Sequence, residues 1–223
     1  MQELYIDSVA HRYEKEYILN NVYINCKIGE IVGLLGRNGS GKSTLLKIIF
    51  GSIQPNYMHM RLNDEQVKRA YITGKVAYLP QHFFIPAHLR VKQLVEIYSN
   101  KYKKELFAQD IIRENINRAM EDLSGGQRRL IEFMLVLYGD SDFVLLDEPF
   151  TQLAPIVIEE MQRQLFNFRM LKGVILTDHY YQEIIKTASR IVLLHNGCNY
   201  RINGVADLQL HGYLSHIVQE YTS

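Results

Sequence analysis

Apolar residues recur along this chain in two rhythms. Short unbroken apolar runs, Ile31–Leu35, Phe143–Leu146 and Gly173–Leu176, read as strands buried on both faces. Leu4–Val9 alternates loosely and reads as a strand. Val22–Ile28 reads as another, and Gly29 opens the turn into Ile31. Helical spacing marks Thr44–Phe50, which Gly51 closes, then Arg128–Leu137 and Pro155–Phe168. Between the sheet-forming regions, Val91, Leu94, Val95 and Tyr98 fall on one helical face, followed by Ile111, Ile112 and Ile116. Val91–Met120 is therefore a helical insert and a candidate lobe. Ser52–Pro80 is polar and irregular, with strands expected around Tyr57–Leu62, Ala70–Ile72 and Val76–Leu79. Arg190–Leu194 and Cys198–Ile202 flank Asn196-Gly197 and read as a hairpin, because Asn-Gly fits a two-residue turn. Val205–Leu210 reads as a short closing helix, and no repeat or low-complexity tract is visible.

The chemistry concentrates where these elements meet. Gly36-Arg37-Asn38-Gly39-Ser40-Gly41-Lys42-Ser43-Thr44 lies between a buried strand and a helix, the context that makes G-x-x-x-x-G-K-S a phosphate site. Its glycines reach backbone angles that side chains forbid, so the loop can turn its N–H groups onto an anion. The helix start adds unpaired N–H groups and the positive end of its dipole. Lys42 supplies a mobile ammonium for the β- and γ-phosphates, Ser43 a hydroxyl for Mg²⁺, and Thr44 stands where an α-phosphate or backbone contact falls. Phe143–Leu146 ends in Asp147-Glu148, two acids at the carboxyl end of a parallel strand, where open α/β sheets bind ligands. Asp147 is placed to hold the metal through a water, and Glu148 to orient or activate the attacking water. His179, in Thr177-Asp178-His179, lies at another strand end, where the γ-phosphate would be. Leu123-Ser124-Gly125-Gly126-Gln127 opens a helix and is either a second anion-binding start or an ordinary serine cap. From spacing alone Tyr13 reads as a partly buried core tyrosine.

Composition narrows the field. At 223 residues and 47% hydrophobic, the chain fills one large domain, or a domain with a lobe. A formal net charge of +1 gives no basic field for nucleic acid or an anionic membrane. The run Lys101-Tyr102-Lys103-Lys104 reads as a solvated face rather than a nucleic-acid patch. Cys26 and Cys198 stand in no metal spacing and suggest a reducing compartment. Met1-Gln2-Glu3-Leu4 lacks the form of a signal peptide, and no apolar run is long enough to span a bilayer. Any membrane part is expected from another chain.

In this order, these motifs resemble the ATP-binding subunits of ATP-binding cassette (ABC) ATPases over nearly the whole chain. The resemblance implies an α/β fold of P-loop NTPase type: a mostly parallel core sheet, an antiparallel β subdomain and a helical subdomain. It implies one ABC ATPase domain over residues 1–223, with the helical subdomain at roughly 82–135 inserted in a RecA-like core. It assigns Gly36, Asn38, Gly39, Ser40, Gly41, Lys42, Ser43 and Thr44 to the Walker A loop. Gln81 becomes the Q-loop glutamine that binds Mg²⁺ and senses the γ-phosphate. Leu123–Gln127 is the undivided LSGGQ signature. Asp147 and Glu148 are the Walker B aspartate and catalytic glutamate, and His179 is the switch histidine. Tyr13 becomes the aromatic that stacks on adenine, reversing the reading from spacing. The expected ligands are ATP and Mg²⁺. Two copies are expected to pack head to tail, each ATP held by one copy's Walker A and the other's Ser124, Gly125, Gly126 and Gln127. The expected partners are separate transmembrane permease subunits, which would hold the protein on the cytoplasmic face of the membrane. His82-Phe83-Phe84-Ile85-Pro86 is either an apolar contact for them or packing within the lobe. No nucleic acid is expected, and nothing points to GTP.

Two departures from the family pattern stand out. The D-loop aspartate is Ala154, which puts communication between sites in question. The helix after the signature reads Phe133-Met134-Leu135-Val136-Leu137 in place of Ala-Arg-Ala-Leu, with stability effects expected more than chemical ones. Two other readings stand beside the transporter ATPase. One is a soluble ABC ATPase acting on DNA or ribosomes; the other is a nucleotide-sensing module with little turnover. Thr177-Asp178-His179 and Gly212-Tyr213-Leu214 resemble the branch with lipopolysaccharide-export and branched-chain amino-acid ATPases.

Overall fold

The computed structural model describes residues 2–214. Two sheets organise them. Strands β1 (Glu3–Tyr13), β2 (Glu16–Lys27), β4 (Tyr57–Leu62) and β5 (Glu65–Gln66) form an antiparallel sheet ordered β2-β1-β4-β5. Strands β3 (Ile31–Leu35), β6 (Val76–Leu79), β7 (Phe143–Asp147), β8 (Gly173–Thr177), β9 (Arg190–His195) and β10 (Cys198–Ile202) form the second, ordered β10-β9-β3-β8-β7-β6. All its pairings are parallel except the β9–β10 hairpin.

The unbroken apolar runs have a simple cause: the second sheet is covered on both faces. Val32 and Leu34 of β3 point into one core, shared with the antiparallel sheet and helix α1 (Lys42–Phe50). Ile31 and Leu35 point into the other, against helices α5 (Gly125–Leu137) and α6 (Pro155–Phe168). A strand with cores on both sides has no polar face to reveal its period. The substituted run Phe133–Leu137 is wholly buried in the second core, so its departure from the family pattern bears on packing.

Several expectations are corrected. The Ala70–Ile72 strand is a short 3₁₀ turn over Ala70–Thr73, stopped by Gly74 at φ 67°, with the Thr73 hydroxyl donating to Ala70 O. Val91–Met120 is three helices, α2 (Val91–Tyr98), α3 (Lys103–Phe107) and α4 (Asp110–Asn115), with a 3₁₀ turn at Met120–Asp122. Asp140 breaks the run by accepting the N–H groups of Asn100 and Lys101 between α2 and α3. β1 and β2 extend well past their apolar portions to meet in a hairpin at Glu14, φ 54°. Helix α5 starts at Gly125, earlier than Arg128, because Ser124 caps it. Helix α7 (Tyr181–Thr187) follows the histidine segment unannounced by periodicity, and α8 (Val205–Leu210) closes the described chain.

One charge is buried far from the nucleotide motifs. Lys172 is 1% exposed and donates its ammonium to Gly139 O (2.6 Å) and Ser141 O, below the carboxyl end of α5. Burial pushes it down to about 8 from its ordinary 10.5. Between these values the unfolded chain binds more protons than the folded one, so stability rises with pH. From pH 8 to 10 we expect a gain on the order of 2 kcal/mol. Above that, the buried phenols of Tyr78 and Tyr138, held above their ordinary value, oppose it. Urea unfolding at pH 8 and pH 10 should show the rise, and Lys172→Met should flatten it.

Candidate active site

The phosphate loop leaves β3 and enters α1. A Cβ on Gly36 would lie 2.6 Å from Leu194 O, so the loop can follow this path only with glycine there. Gly41 caps α1 in the left-handed region, φ 98°. The first helical bond runs from Leu45 N to Gly41 O, leaving the N–H groups of the first turn for an anion. Lys42 is 5% exposed and rests on its own loop, donating to Gly36 O (2.8 Å) and Arg37 O (3.2 Å). Burial lowers its pKa, and Glu148 and Asp147 pull it back. Ser40 Oγ is buried with no partner among the described residues. An orphaned hydroxyl inside a loop of free N–H groups suits an anionic ligand.

Asp147 and Glu148 end β7 beside this loop. Asp147 accepts the Ser43 hydroxyl on one oxygen and the Tyr78 phenol on the other, both at 2.8 Å. A hydroxyl and a carboxylate oxygen so close suit Mg²⁺, which takes few protein oxygens and keeps others from water or phosphate. Glu148 is 6% exposed and sits at φ 49°, a strained backbone for a non-glycine residue. Its Oε2 accepts Gln81 Nε2 (2.7 Å) and lies 2.8 Å from His179 Nε2. Burial raises its pKa, against His179, which lowers it. A carboxylate moved toward neutrality is a stronger base.

A cavity of about 380 Å³ is lined by Tyr13, Ile18, Asn38, Gly39, Gly41, Lys42, Ser43, Thr44, Glu148 and His179. Gly36, Ser40, Gln81 and Asp147 do not line it; Gln81 and Asp147 act on it through Glu148 and Ser43. Tyr13 is 50% exposed at its lip, which overturns the core reading taken from spacing. Ser124, Gly125, Gly126 and Gln127 lie outside this cavity. Ser124 and Gln127 cap each other reciprocally, Gln127 N to Ser124 Oγ at 3.3 Å and Ser124 N to Gln127 Oε1 at 3.0 Å, and Ser124 and Gly125 stay exposed.

Two supporting residues escaped the sequence reading. Arg129 is 4% exposed and donates to Pro80 O (2.7 Å), Asp147 O (3.2 Å), Glu148 O (3.3 Å) and Pro149 O (3.5 Å). It ties the signature helix to the backbone on which Gln81 and Glu148 stand. Asp178, also buried, accepts Phe150 N (2.8 Å) and Tyr180 N (3.1 Å), tying the segment after Glu148 to the histidine segment. The sequence offered a faint signal for each: a charge inside a helix turn that must face the core, and an acid wedged between a strand and His179. Ala154 caps α6 with backbone alone, so the aspartate of the family pattern has no substitute at that position.

Strand, glycine loop, helix and acidic strand end define a phosphate-loop nucleotide hydrolase. The profile of the family described as ABC transporter matches residues 19–151. The lipopolysaccharide export system ATP-binding protein LptB of Acidithiobacillus ferridurans is 28% identical over 209 residues, covering 87% of each chain. The thiamine import ATP-binding protein ThiQ of Vibrio cholerae is 31% identical over 220 residues, covering 92% of this chain and 90% of its own. Among solved structures, an ATP-binding subunit of an ABC transporter superposes with a TM-score of 0.80 at 20% identity, over 95% of this chain and 93% of its own, a likeness of fold. The chain belongs to the ABC transporter family, as an ATP-hydrolysing subunit that takes ATP with Mg²⁺.

Proposed function

We propose that this chain works as a head-to-tail homodimer that couples ATP binding and hydrolysis to movement of a substrate through separate membrane permease subunits. The observation that carries the dimer is the separation of the two anion-binding helix starts. Lys42 and its loop line the cavity, while Ser124 and Gly125 are exposed and outside it, an arrangement that suits a second copy bringing its signature to each loop. The permease partner is supported by relatives that are all ATP-binding parts of transport systems. Among the described residues no helix is long and apolar enough to cross a membrane. In this reading the permease partner holds the protein at the cytoplasmic face of the membrane. Residues 82–135 form the helical subdomain of this reading. The relatives are named for lipopolysaccharide, thiamine and carnitine, cargoes so unlike that cargo choice belongs to the membrane chains.

In the closed site, Tyr13 stacks on adenine. The loop from Gly36 to Thr44 holds the phosphates by its N–H groups, and Lys42 leaves its carbonyls to reach the terminal ones. Ser43, Asp147 and Gln81 hold Mg²⁺, which when bound neutralises phosphate charge. Glu148 keeps Oε1 free to orient the attacking water and take its proton, while His179 steadies Oε2. Phosphoryl transfer asks chiefly for such positioning and charge neutralisation.

The test mixes two inactive chains. Lys42→Ala and Ser124→Arg should each abolish phosphate release. Mixed, they should recover about a quarter of the wild-type rate, because half of randomly paired dimers are mixed and each of those keeps one intact site. No recovery in a mixture shown to exchange subunits would mean that each chain completes its own site.

A further inference from the structure

We propose that His11 is a positioning residue for adenine: it holds the ring of Tyr13 at the angle in which its open face receives the base. This rests on the reading of Tyr13 as the adenine-stacking residue. Tyr13 stands at the tip of the β1–β2 hairpin, half exposed, next to the turn at Glu14. A tyrosine there has rotational freedom, and ordering it on binding costs affinity. His11 removes that freedom. Its ring lies 4.8 Å from the Tyr13 ring, centroid to centroid, with the planes at 87°. That edge-to-face contact is the arrangement aromatic quadrupoles prefer. It engages one side of the pair and leaves Tyr13 free to face the cavity it lines.

Two further observations set His11 apart from an ordinary core histidine. It is 8% exposed, and both ring nitrogens are buried without a hydrogen-bond partner among the described residues. Buried imidazole nitrogens are nearly always paired, so the ring is kept in place at a cost that its contact with Tyr13 accounts for. The backbone on either side of it is also pinned. Asn56 N donates to Ala10 O (3.0 Å), and Asn56 Oδ1 accepts Arg12 N (2.9 Å), clamping the strand around His11. The histidine is thus fixed, and the tyrosine is fixed against it.

The test separates base from phosphate. Affinities for Mg-ATP and for Mg-tripolyphosphate, which has no base, are measured by calorimetry for the full chain and three variants. His11→Leu should weaken ATP about fivefold, the worth of one aromatic pair, and leave tripolyphosphate unchanged. His11→Phe keeps a ring against Tyr13 and should bind ATP nearly as the parent does. In hydrolysis, His11→Leu should raise KM and leave kcat within about twofold. Tyr13→Ala is the control and should weaken ATP alone by more. If Tyr13→Ala weakens ATP while His11→Leu does not, the role of His11 is overturned and that of Tyr13 stands. An equal loss of ATP and tripolyphosphate binding in His11→Leu would mark a purely structural residue and also overturn it. If Tyr13→Ala leaves ATP binding intact, the stacking reading falls and this proposal with it.

Discussion

Glu148→Gln should lower ATP turnover by roughly two to four orders of magnitude, the range for removing a general base, while ATP still binds. The amide keeps the size and shape of the carboxylate, so Gln81 and His179 retain an acceptor on it. It cannot take a proton from water. Burial raises the pKa of Glu148 and the charge is costly there, so the neutral side chain should also raise stability slightly. ATP that binds and is not consumed should hold the proposed dimer closed. Size-exclusion chromatography with light scattering should then show a dimer of the variant at millimolar ATP and a monomer without it. A variant that stays monomeric at that concentration would remove the dimer as the catalytic unit.

The second large effect is expected at Arg129. Its guanidinium meets four carbonyl oxygens and is almost fully out of water. Burial works against its charge, and Glu132 foremost compensates. Arg129→Met keeps the volume, strands all four acceptors, and leaves the buried Glu132 carboxylate with Arg128 and the Ile85 N–H as its remaining partners. Breaking a buried charged network of this kind costs about 3–5 kcal/mol. Urea unfolding should show that loss. Turnover should fall as well, because the carbonyls of Pro80 and Glu148 set the positions of Gln81 and of the carboxylate proposed as the base. Arg129→Lys restores the charge without the planar fork and should recover part of the stability and less of the activity. Unchanged stability in Arg129→Met would show that the carbonyls find other donors.

The contacts of Arg129 also show where sequence reading stops. The glycine loop, the two acids and the long helix Pro155–Phe168 were legible because each is a local pattern with a local cause. A loop needs glycine where Leu194 O presses close, and Pro155 starts a helix whose stripe is regular. The hairpin at Asn196-Gly197 was legible for the same reason. The broken helices after Val91 were not, because Asp140, forty residues away, ends the first of them. Nor was the length of β1 and β2, whose far ends are polar and held by pairing rather than by burial. Arg129 and Asp178 were visible as letters only. Their work is done on backbone atoms of distant segments, and a sequence does not say which carbonyl a side chain will find. Spacing alone read Tyr13 as a core residue, whereas it stands half exposed at the lip of the cavity.

The bond between Gln81 and Glu148 has a mechanical consequence. Gln81 begins the segment 81–86, whose further end is gripped by α5: Arg128 donates to Ile85 O at 2.7 Å and Glu132 accepts Ile85 N at 3.3 Å. A displacement of that segment by about an ångström exceeds what a hydrogen bond tolerates and would free one proton donor from the carboxylate. In the proposed transporter, a load on the outer surface of the lobe would thereby be geared to the chemical step, and the motor would idle or run according to how its cargo-bearing machinery leans on it.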